Sequence, residues 1–273
     1  MDALAVACHI SERIYYTGQA QNLIINFIVL LDTRERLKLT MRPKKLASTF
    51  MISTSTLRNY EAKGLIPPAE RSANGYRVYT NLHETYLACI QAMAPAFGME
   101  VTTEVLHSLH QAKPYDALWL VREREVALHE EKMRLDKLIE DIQRYTEGSP
   151  ALHQEIRLSI NEVSEITQVS KSAIRYWEQA GYVTADRDPT NHYRHYNRAH
   201  LLKIRLLQVL QNSVYSEDTV QLKQSIASAE HTDSSHLLQL AKNIRSYFNQ
   251  LIEMQIRGIA NLYSLMRLTQ TPQ

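Results

Sequence analysis

The chain has 273 residues, 44% hydrophobic and 22% charged, with a formal net charge of +2, which is length enough for more than one buried core. Near-neutrality excludes recognition of a polyanion by bulk charge, and two distant cysteines, Cys8 and Cys89, exclude a disulfide framework or a zinc site of standard spacing. Seven glycines leave little material for phosphate loops; with no His-Glu-x-x-His and no nucleophile elbow, neither catalytic residues nor a cofactor are expected.

Residues 1–40 read as an N-terminal extension. Its apolar run Leu23–Leu31, broken by Asn26, falls well short of the roughly 20 residues a membrane helix needs. The start is not basic and no small-residue cleavage site follows, so a signal peptide is not expected either. Two readings stand: a packed accessory helix, or translated sequence upstream of a start at Met41.

A first module is expected over 41–112. Leu46, Ala47, Phe50 and Ile52 place apolar groups on one side of a short helix. Ser53 or Thr54 can cap a second helix, Ser55 to Lys63. There Leu57, Tyr60 and Ala62 are expected to face inward, and Thr56, Arg58, Asn59 and Lys63 outward. Gly64 suits a left-handed C-cap, and Pro67-Pro68 stop the helix. Asn74-Gly75 before Tyr76-Arg77-Val78-Tyr79 reads as a tight hairpin. Two short helices at a tight turn followed by a hairpin describe a winged helix-turn-helix, whose second helix is sized for a major groove.

The long stretch 115–148 is expected to be a pairing helix. Val121, Leu128, Leu135 and Ile142 recur every seven residues; Leu118, Val126, Met133, Leu138 and Ile139 are expected to widen the stripe, and Glu125, Glu131, Lys132 and Lys137 to fill the other faces. Gly148-Ser149-Pro150 ends it.

The chain then repeats itself. Shifted by 117 positions without a gap, Ser53, Ser55, Arg58, Glu61, Gly64, Asn74, Tyr76, Arg77 and Tyr79 meet Ser170, Ser172, Arg175, Glu178, Gly181, Asn191, Tyr193, Arg194 and Tyr196. A second module is expected over 159–229. Because His192 replaces the wing glycine, its wing needs a different turn. After a polar break, Glu230–Ser235, a second long pairing helix is expected over 236–269, carrying Leu237, Leu240, Ile244, Phe248, Leu251, Ile252, Ile259, Leu262 and Leu265. Asp233 or Ser234 can cap it. The fold class is therefore mainly α: two winged helix-turn-helix modules, each followed by a long amphipathic helix.

TLRNYEAKGLIPPAERSANGYRVY resembles the DNA-binding domain of MerR-type transcription regulators, and IRYWEQAGYV with NHYRHY is similar but weaker. The stretches after each wing, with Phe97-Gly98-Met99 and Val214-Tyr215-Ser216 at their junctions, resemble the two helices that follow the wing in that family. Met51 and Gln168 occupy the inter-helix turn where the family usually has glycine, and Asn59 replaces its usual first tyrosine. The resemblance implies a bacterial regulator of transcription, cytoplasmic and at the nucleoid, that binds duplex DNA. It also implies RNA polymerase as a further partner and self-association through the long helices, as a homodimer or within one chain. The residues it implies for DNA are Ser55, Thr56, Arg58, Asn59, Lys63, Tyr76 and Arg77, and Ser172, Arg175, Tyr176, Tyr193 and Arg194. Metal-sensing members carry cysteines after the pairing helix; none follows Cys89 here, so a thiolate metal site is not expected. His192 and His195 lack a third ligand.

Charge placement agrees. Residues 42–84 carry seven lysines and arginines against three glutamates, whereas 116–147 carry six against nine acids. Over 159–210 the balance is seven to five, which leaves open that the second module is a protein-interaction surface. An architectural, excisionase-like or segregation protein is a further alternative. An effector would have to sit between the long helices, where Trp119, Tyr145, Tyr247, Phe248 and Tyr263 are candidates for lining a cavity; packed interface core is the plainer reading of the same aromatics.

Overall fold

The computed structural model describes residues 40–146, 156–229 and 234–270. The run Leu23–Leu31, Cys8, Gly148-Ser149-Pro150, Asp233 and the terminal Thr271-Pro272-Gln273 lie outside the described residues. The fold is mainly α, with ten helices and two two-stranded hairpins among the described residues. The chain divides into two compact units between Ala88 and Cys89.

In the first unit, α1 (Pro43–Thr49) starts with proline inside its first turn and buries Leu46 and Ala47. Met51 then takes a left-handed φ of 50°, the conformation that a glycine would hold without steric cost. Helix α2 (Thr54–Ala62) is capped by Ser53, whose hydroxyl accepts the Thr56 N–H at 2.9 Å. Leu57 is fully buried and Tyr60 half-buried, but Ala62 is exposed, contrary to expectation. Five residues beyond Leu57 lie about 140° further round a helix, outside the buried stripe. Gly64, at φ 66°, turns the chain so that Leu65 and Ile66 enter the core. The wing pairs β1 (Glu70–Arg71) with β2 (Arg77–Val78), Glu70 opposite Val78 and Arg71 opposite Arg77. Its tip is wider than a two-residue turn. The Ser72 N–H donates to the Tyr76 carbonyl, the Gly75 N–H donates to the Ser72 carbonyl, and Gly75 sits at φ 75°, a three-residue loop of the left-handed-glycine type. Met41 and Tyr79 exchange both backbone hydrogen bonds, at 2.7 and 3.0 Å, which ties the wing to the strand before α1. Helix α3 (Asn81–Phe97) follows.

The second unit holds the end of α3, α4 (Met99–His110) and α5 (Pro114–Thr146). It then repeats the plan with α6 (Ile160–Thr167), α7 (Lys171–Gln179), β3 (Asp186–Arg187), β4 (Arg194–His195), α8 (Arg198–Val209) and α9 (Glu217–Ser228). Ser159 and Glu162 form a capping box on α6, Gln168 is left-handed at φ 60°, and Ser170 caps α7. Leu158 and Tyr196 repeat the backbone exchange of Met41 and Tyr79. The strands correct the gapless match: β4 follows β2 by 117 positions, but β3 follows β1 by 116. Thr184-Ala185 replaces the longer Pro67-Pro68-Ala69, and the lost residue returns at the wing tip. There His192 takes a φ of 59°, while Asp188 Oδ1 accepts the Thr190 and Asn191 N–H groups. The turn does differ, and a side-chain cap holds a non-glycine in the left-handed position.

Helix α10 (Ser234–Gln270) closes the unit. One apolar cluster joins Leu128, Leu135, Leu138, Ile139 and Ile142 of α5 to residues between Leu237 and Leu251 of α10. Arg124, Ala127 and Leu128 share a cavity with Leu251 and Gln255, so the N-terminal end of the α5 run meets the C-terminal end of the α10 run and the two helices pair antiparallel within a single chain. Gly258 allows α10 to close on α3: a Cβ there would lie 3.0 Å from Phe97 Cε2 and 3.3 Å from the Ala92 carbonyl oxygen. The heptad residues Val121, Leu128, Leu135 and Ile142 are buried as expected. Leu118, Val126 and Met133 are exposed instead of widening the stripe; Val126 and Met133 sit two residues before heptad positions, about 160° away on the opposite face. Ile252 is likewise exposed. Glu131, expected on an outer face, is buried, because it lies three residues after Leu128 and four before Leu135. The aromatic set does not form a shared cavity: Trp119 and Tyr263 are exposed, Tyr247 and Phe248 are core, and Tyr145 lies under the Arg198 guanidinium at 5.9 Å.

Candidate nucleic-acid interface

Each module presents the exposed side of its second helix beside its wing. On α2, Ser55, Arg58, Asn59 and Lys63 are exposed and Thr56 is half-buried. Ser55 and Thr56 hydroxyls lie 2.6 and 2.8 Å from the capping Ser53 hydroxyl, so the start of the helix carries a linked set of hydroxyls. On α7, Ser172, Arg175 and Tyr176 are exposed, with Ser172 3.0 Å from Ser170. Among the described residues Arg58 and Arg175 form no ion pair, whereas every acidic residue of α2 and α7 is engaged with its own wing.

That engagement is the main device of the site. Glu61 Oε2 accepts from Arg77 Nε at 2.9 Å, and Glu61 Oε1 accepts the Ala69 N–H at 3.2 Å. In the second module Glu178 pairs with Arg194 at 3.3 Å and accepts the Tyr196 hydroxyl at 2.9 Å. Tyr79 and Tyr196 are fully buried, packing wing onto helices. Burial, with the neighbouring carboxylate second or third in weight, pushes both phenols above their ordinary range, so both act as neutral donors. Tyr76 and Tyr193 stand out from the wings, 74% and 75% exposed.

Two pairs of residues escaped the sequence reading. Arg71 and Arg187 occupy the same place in the two wings, directly opposite Arg77 and Arg194, and each reaches over the tip: Arg71 Nη1 to the Gly75 carbonyl at 3.0 Å, Arg187 Nη1 to the His192 carbonyl at 3.3 Å. A gapless shift sets Arg71 against Asp188; one gap at the wing would have revealed it. His83 and His200 follow the shift of 117 and were legible had it been carried past the wing. Nδ1 of each accepts the backbone N–H three residues earlier, from Thr80 and Asn197 at 3.0 Å. Each ring stands edge-on to the buried tyrosine, at 5.1 and 6.0 Å. With Nδ1 accepting, the ring proton sits on Nε2, which in His200 donates to the Thr184 carbonyl at 2.7 Å. His83 Nε2 is buried short of a formed bond; desolvation holds this ring below the usual histidine range, against the opposing pull of the Pro67 carbonyl.

Between α7 and its wing lies an open cleft of about 530 Å³ onto which Arg175, Arg187 and Arg194 converge, with Glu178 on its wall. No group of three His, Cys, Asp or Glu residues suited to a metal ion occurs among the described residues. His195 is half-buried near Asp186, 3.8 Å away, while His192 is exposed at the tip. Cys89 is buried and its thiol is pushed up to about 12 by desolvation. No helix among the described residues is long and apolar enough to cross a membrane.

The fold and these two faces define a tandem winged helix-turn-helix protein. The family described as "MerR family regulatory protein" matches residues 42–79, and "MerR HTH family regulatory protein" matches 158–223. The chain thus carries two MerR-type domains in tandem. It is similar to the HTH-type transcriptional regulator CueR of Escherichia coli O157:H7, 34% identical over 67 residues covering 24% of this chain and 50% of that protein. The protein of the same name from Salmonella typhimurium (strain LT2) is 34% identical over 67 residues, 24% of this chain and 49% of its own length. The chain thus spans about half the length of the curated relatives it matches. No solved structure gives a significant match.

Proposed function

We propose that the chain binds duplex DNA sequence-specifically as a transcriptional regulator, reading a two-armed site with two non-identical modules. The observation that carries this reading is the arginine pair in each wing. Arg71 faces Arg77 and Arg187 faces Arg194 across a two-residue ladder. Like charges directly opposite one another destabilise a hairpin. Glu61 and Glu178 offset one charge of each pair; the second arginine, repeated in both copies, is explained by an anion that runs past both wings, as a phosphate backbone does. Arg58 with Asn59, and Arg175 with Tyr176, then face base edges, with Ser55, Thr56, Lys63 and Ser172 beside them and Tyr76 and Tyr193 reaching along the backbone from the wing tips.

The antiparallel packing of α5 on α10 supports a further step: the two long helices take, within one chain, the pairing that a homodimer would supply. The modules, 41–112 and 159–229, then act as one pseudo-dimer, and RNA polymerase is the further partner at a bound promoter. The test is selection of duplexes from a random pool at two salt concentrations, with light scattering on the bound and free protein. Two unlike arms about one helical turn apart, or a multiple of it, are expected, with affinity falling steeply with salt. Arg58→Ala and Arg175→Ala should each cost about 1–3 kcal/mol and relax one arm only. Sequence-blind binding would favour an architectural role. Unchanged affinity in Arg175→Ala with Arg194→Ala would assign the second module to protein contact, and a free particle near twice the 31.5 kDa chain mass would refute the one-chain pairing.

A further inference from the structure

Glu131 is a buried carboxylate on α5, only 6% exposed. Its Oε1 accepts from Arg134 Nη1 at 2.6 Å and from Asn212 Nδ2 at 3.2 Å. Its Oε2 is buried with no hydrogen-bond partner. An acceptor left dry is costly, and more so when charged. The group lines a cavity of about 50 Å³ where the end of α3, α5, the loop after α8 and α10 meet. Gln255, also buried, lines the cavity from α10, with Asn212 and Ser213 on another side. The remaining wall is apolar: the rings of Phe97 and Phe248, with Leu251 and Val214. Arg124 lies at the cavity too, but its side chain is exposed to solvent.

The place matters as much as the chemistry. Phe97 and Val214 are related by the same shift of 117 that relates the modules, as are Ala96 and Ser213. The cavity therefore touches the junction after the post-wing helix in both copies, and both long helices as well.

We propose that this cavity binds a short primary alkylammonium ion. The ammonium head supplies up to three N–H donors where Glu131 Oε2, Gln255 and Asn212 offer acceptors, and a short alkyl stub lies against the aliphatic wall and the rings of Phe97 and Phe248, aromatic groups that can also attract a cation. At roughly 10–15 Å³ of probe volume per water-sized group, the space suits about three to five non-hydrogen atoms, which places the dissociation constant no tighter than roughly half-millimolar for three atoms and roughly low micromolar for five. As a ligand site it stands on the cavity alone; its role as an effector of DNA affinity rests on the function proposed above.

The probes are methylammonium and ethylammonium chloride, titrated to roughly 100 mM into the whole chain and followed by thermal shift and by ligand-observed NMR. Sodium chloride at equal ionic strength and ethanol serve as controls. A saturable rise in melting temperature with the amines alone is expected, weakened at least about tenfold in Glu131→Gln and lost in Ala127→Leu, which fills the cavity from the turn before Glu131 while keeping the carboxylate. Both variants should melt cooperatively and bind selected duplexes as the parent does without amine. Equal effects of ethanol or sodium, an unchanged response in Glu131→Gln, or a crystal structure with an ordered water on Oε2 that amines do not displace would each overturn the site. Amine binding that leaves duplex affinity unmoved would overturn the effector role. Absence of any duplex binding would instead count against the DNA reading, because amine binding is measured on the protein alone.

Discussion

Replacing Glu61 by alanine tests the claim that one carboxylate latches the wing to the second helix. Glu61 is 15% exposed and Arg77 33%, so the pair sits between two regimes. Exposed pairs contribute about 0–1 kcal/mol, while breaking a buried pair costs about 3–5 kcal/mol. The substitution also leaves the Ala69 N–H without its acceptor and the buried Tyr79 hydroxyl without the carboxylate 3.5 Å away. Discounted for the solvent that reaches Arg77, the loss should be about 2 kcal/mol, with about 1 kcal/mol of coupling to Arg77→Ala. For a cooperative unit of this size that lowers the first unit's melting transition by roughly 10 °C. Glu61→Gln, which keeps an acceptor for Ala69, should lose about half as much. The assay is thermal denaturation of Glu61→Ala, Arg77→Ala and the double variant, read as a double-mutant cycle. In the second module Arg194 is 52% exposed and 3.3 Å from Glu178, so the coupling of Glu178 to Arg194 should be the weaker of the two. A coupling at Glu61–Arg77 under about 0.3 kcal/mol, within the scatter of additivity, would refute the latch.

Three further outcomes follow from buried groups. His83 has its folded pKa held below the ordinary 6.5 by desolvation, so it is neutral in the native state. The unfolded chain takes up the proton first as pH falls below about 6.5, so stability is full above that value and is lost as pH falls toward the folded pKa. His83→Gln, which keeps the capping acceptor, should flatten that segment of the melting-temperature profile, and an unchanged profile would contradict the assignment. Gly258→Val forces a side chain against Phe97, the Ala92 carbonyl and Met93 and should cost about 1–3 kcal/mol in chemical denaturation; a neutral result would show that α10 does not rely on close approach there. Cys89, with its thiol pushed up to about 12, should resist a water-soluble maleimide at pH 8 until denaturant is added. Its accessibility is best followed in a Cys8→Ser variant, where labelling at the rate of a free thiol would place it at the surface.

The modules were legible because their signals are local and redundant. Ser53 and Ser170 cap, Gly64 and Gly181 reverse the chain, and even Met51 and Gln168 mark the left-handed turn by standing where glycine is usual. What was misplaced depended on angle and gap. A seven-residue count assigned Val121 and Leu128 correctly, but it cannot say how wide the buried stripe is, so Val126 and Met133 were drawn inward and Glu131 outward. Glu131 shares the buried face by arithmetic; charge alone argued it out. At the wings, a compensating deletion and insertion kept the overall shift at 117 while sliding Arg71 out of register with Arg187, so an ungapped comparison found the second arginine of each wing and missed the first.

The pattern of what the two copies share and what they do not bears on whether both read DNA. The latch is common to both: Glu61 and Glu178, Arg77 and Arg194, Tyr79 and Tyr196, His83 and His200 each play the same part in their own module. A copy retained only as a scaffold needs that framework and nothing beyond it. Yet the second copy also keeps Arg175 and Arg187, whose exposed guanidinium groups hold no part of the fold together beyond one hydrogen bond at the wing tip. The outer face of the second helix differs as well: Thr56, Asn59 and Lys63 are answered by Ala173, Tyr176 and Ala180. Phosphate contacts carry no sequence information, whereas groove-facing side chains do. Constant wing arginines beside changed residues on the second helix are what two heads need if each grips the same backbone and reads a different half of one site.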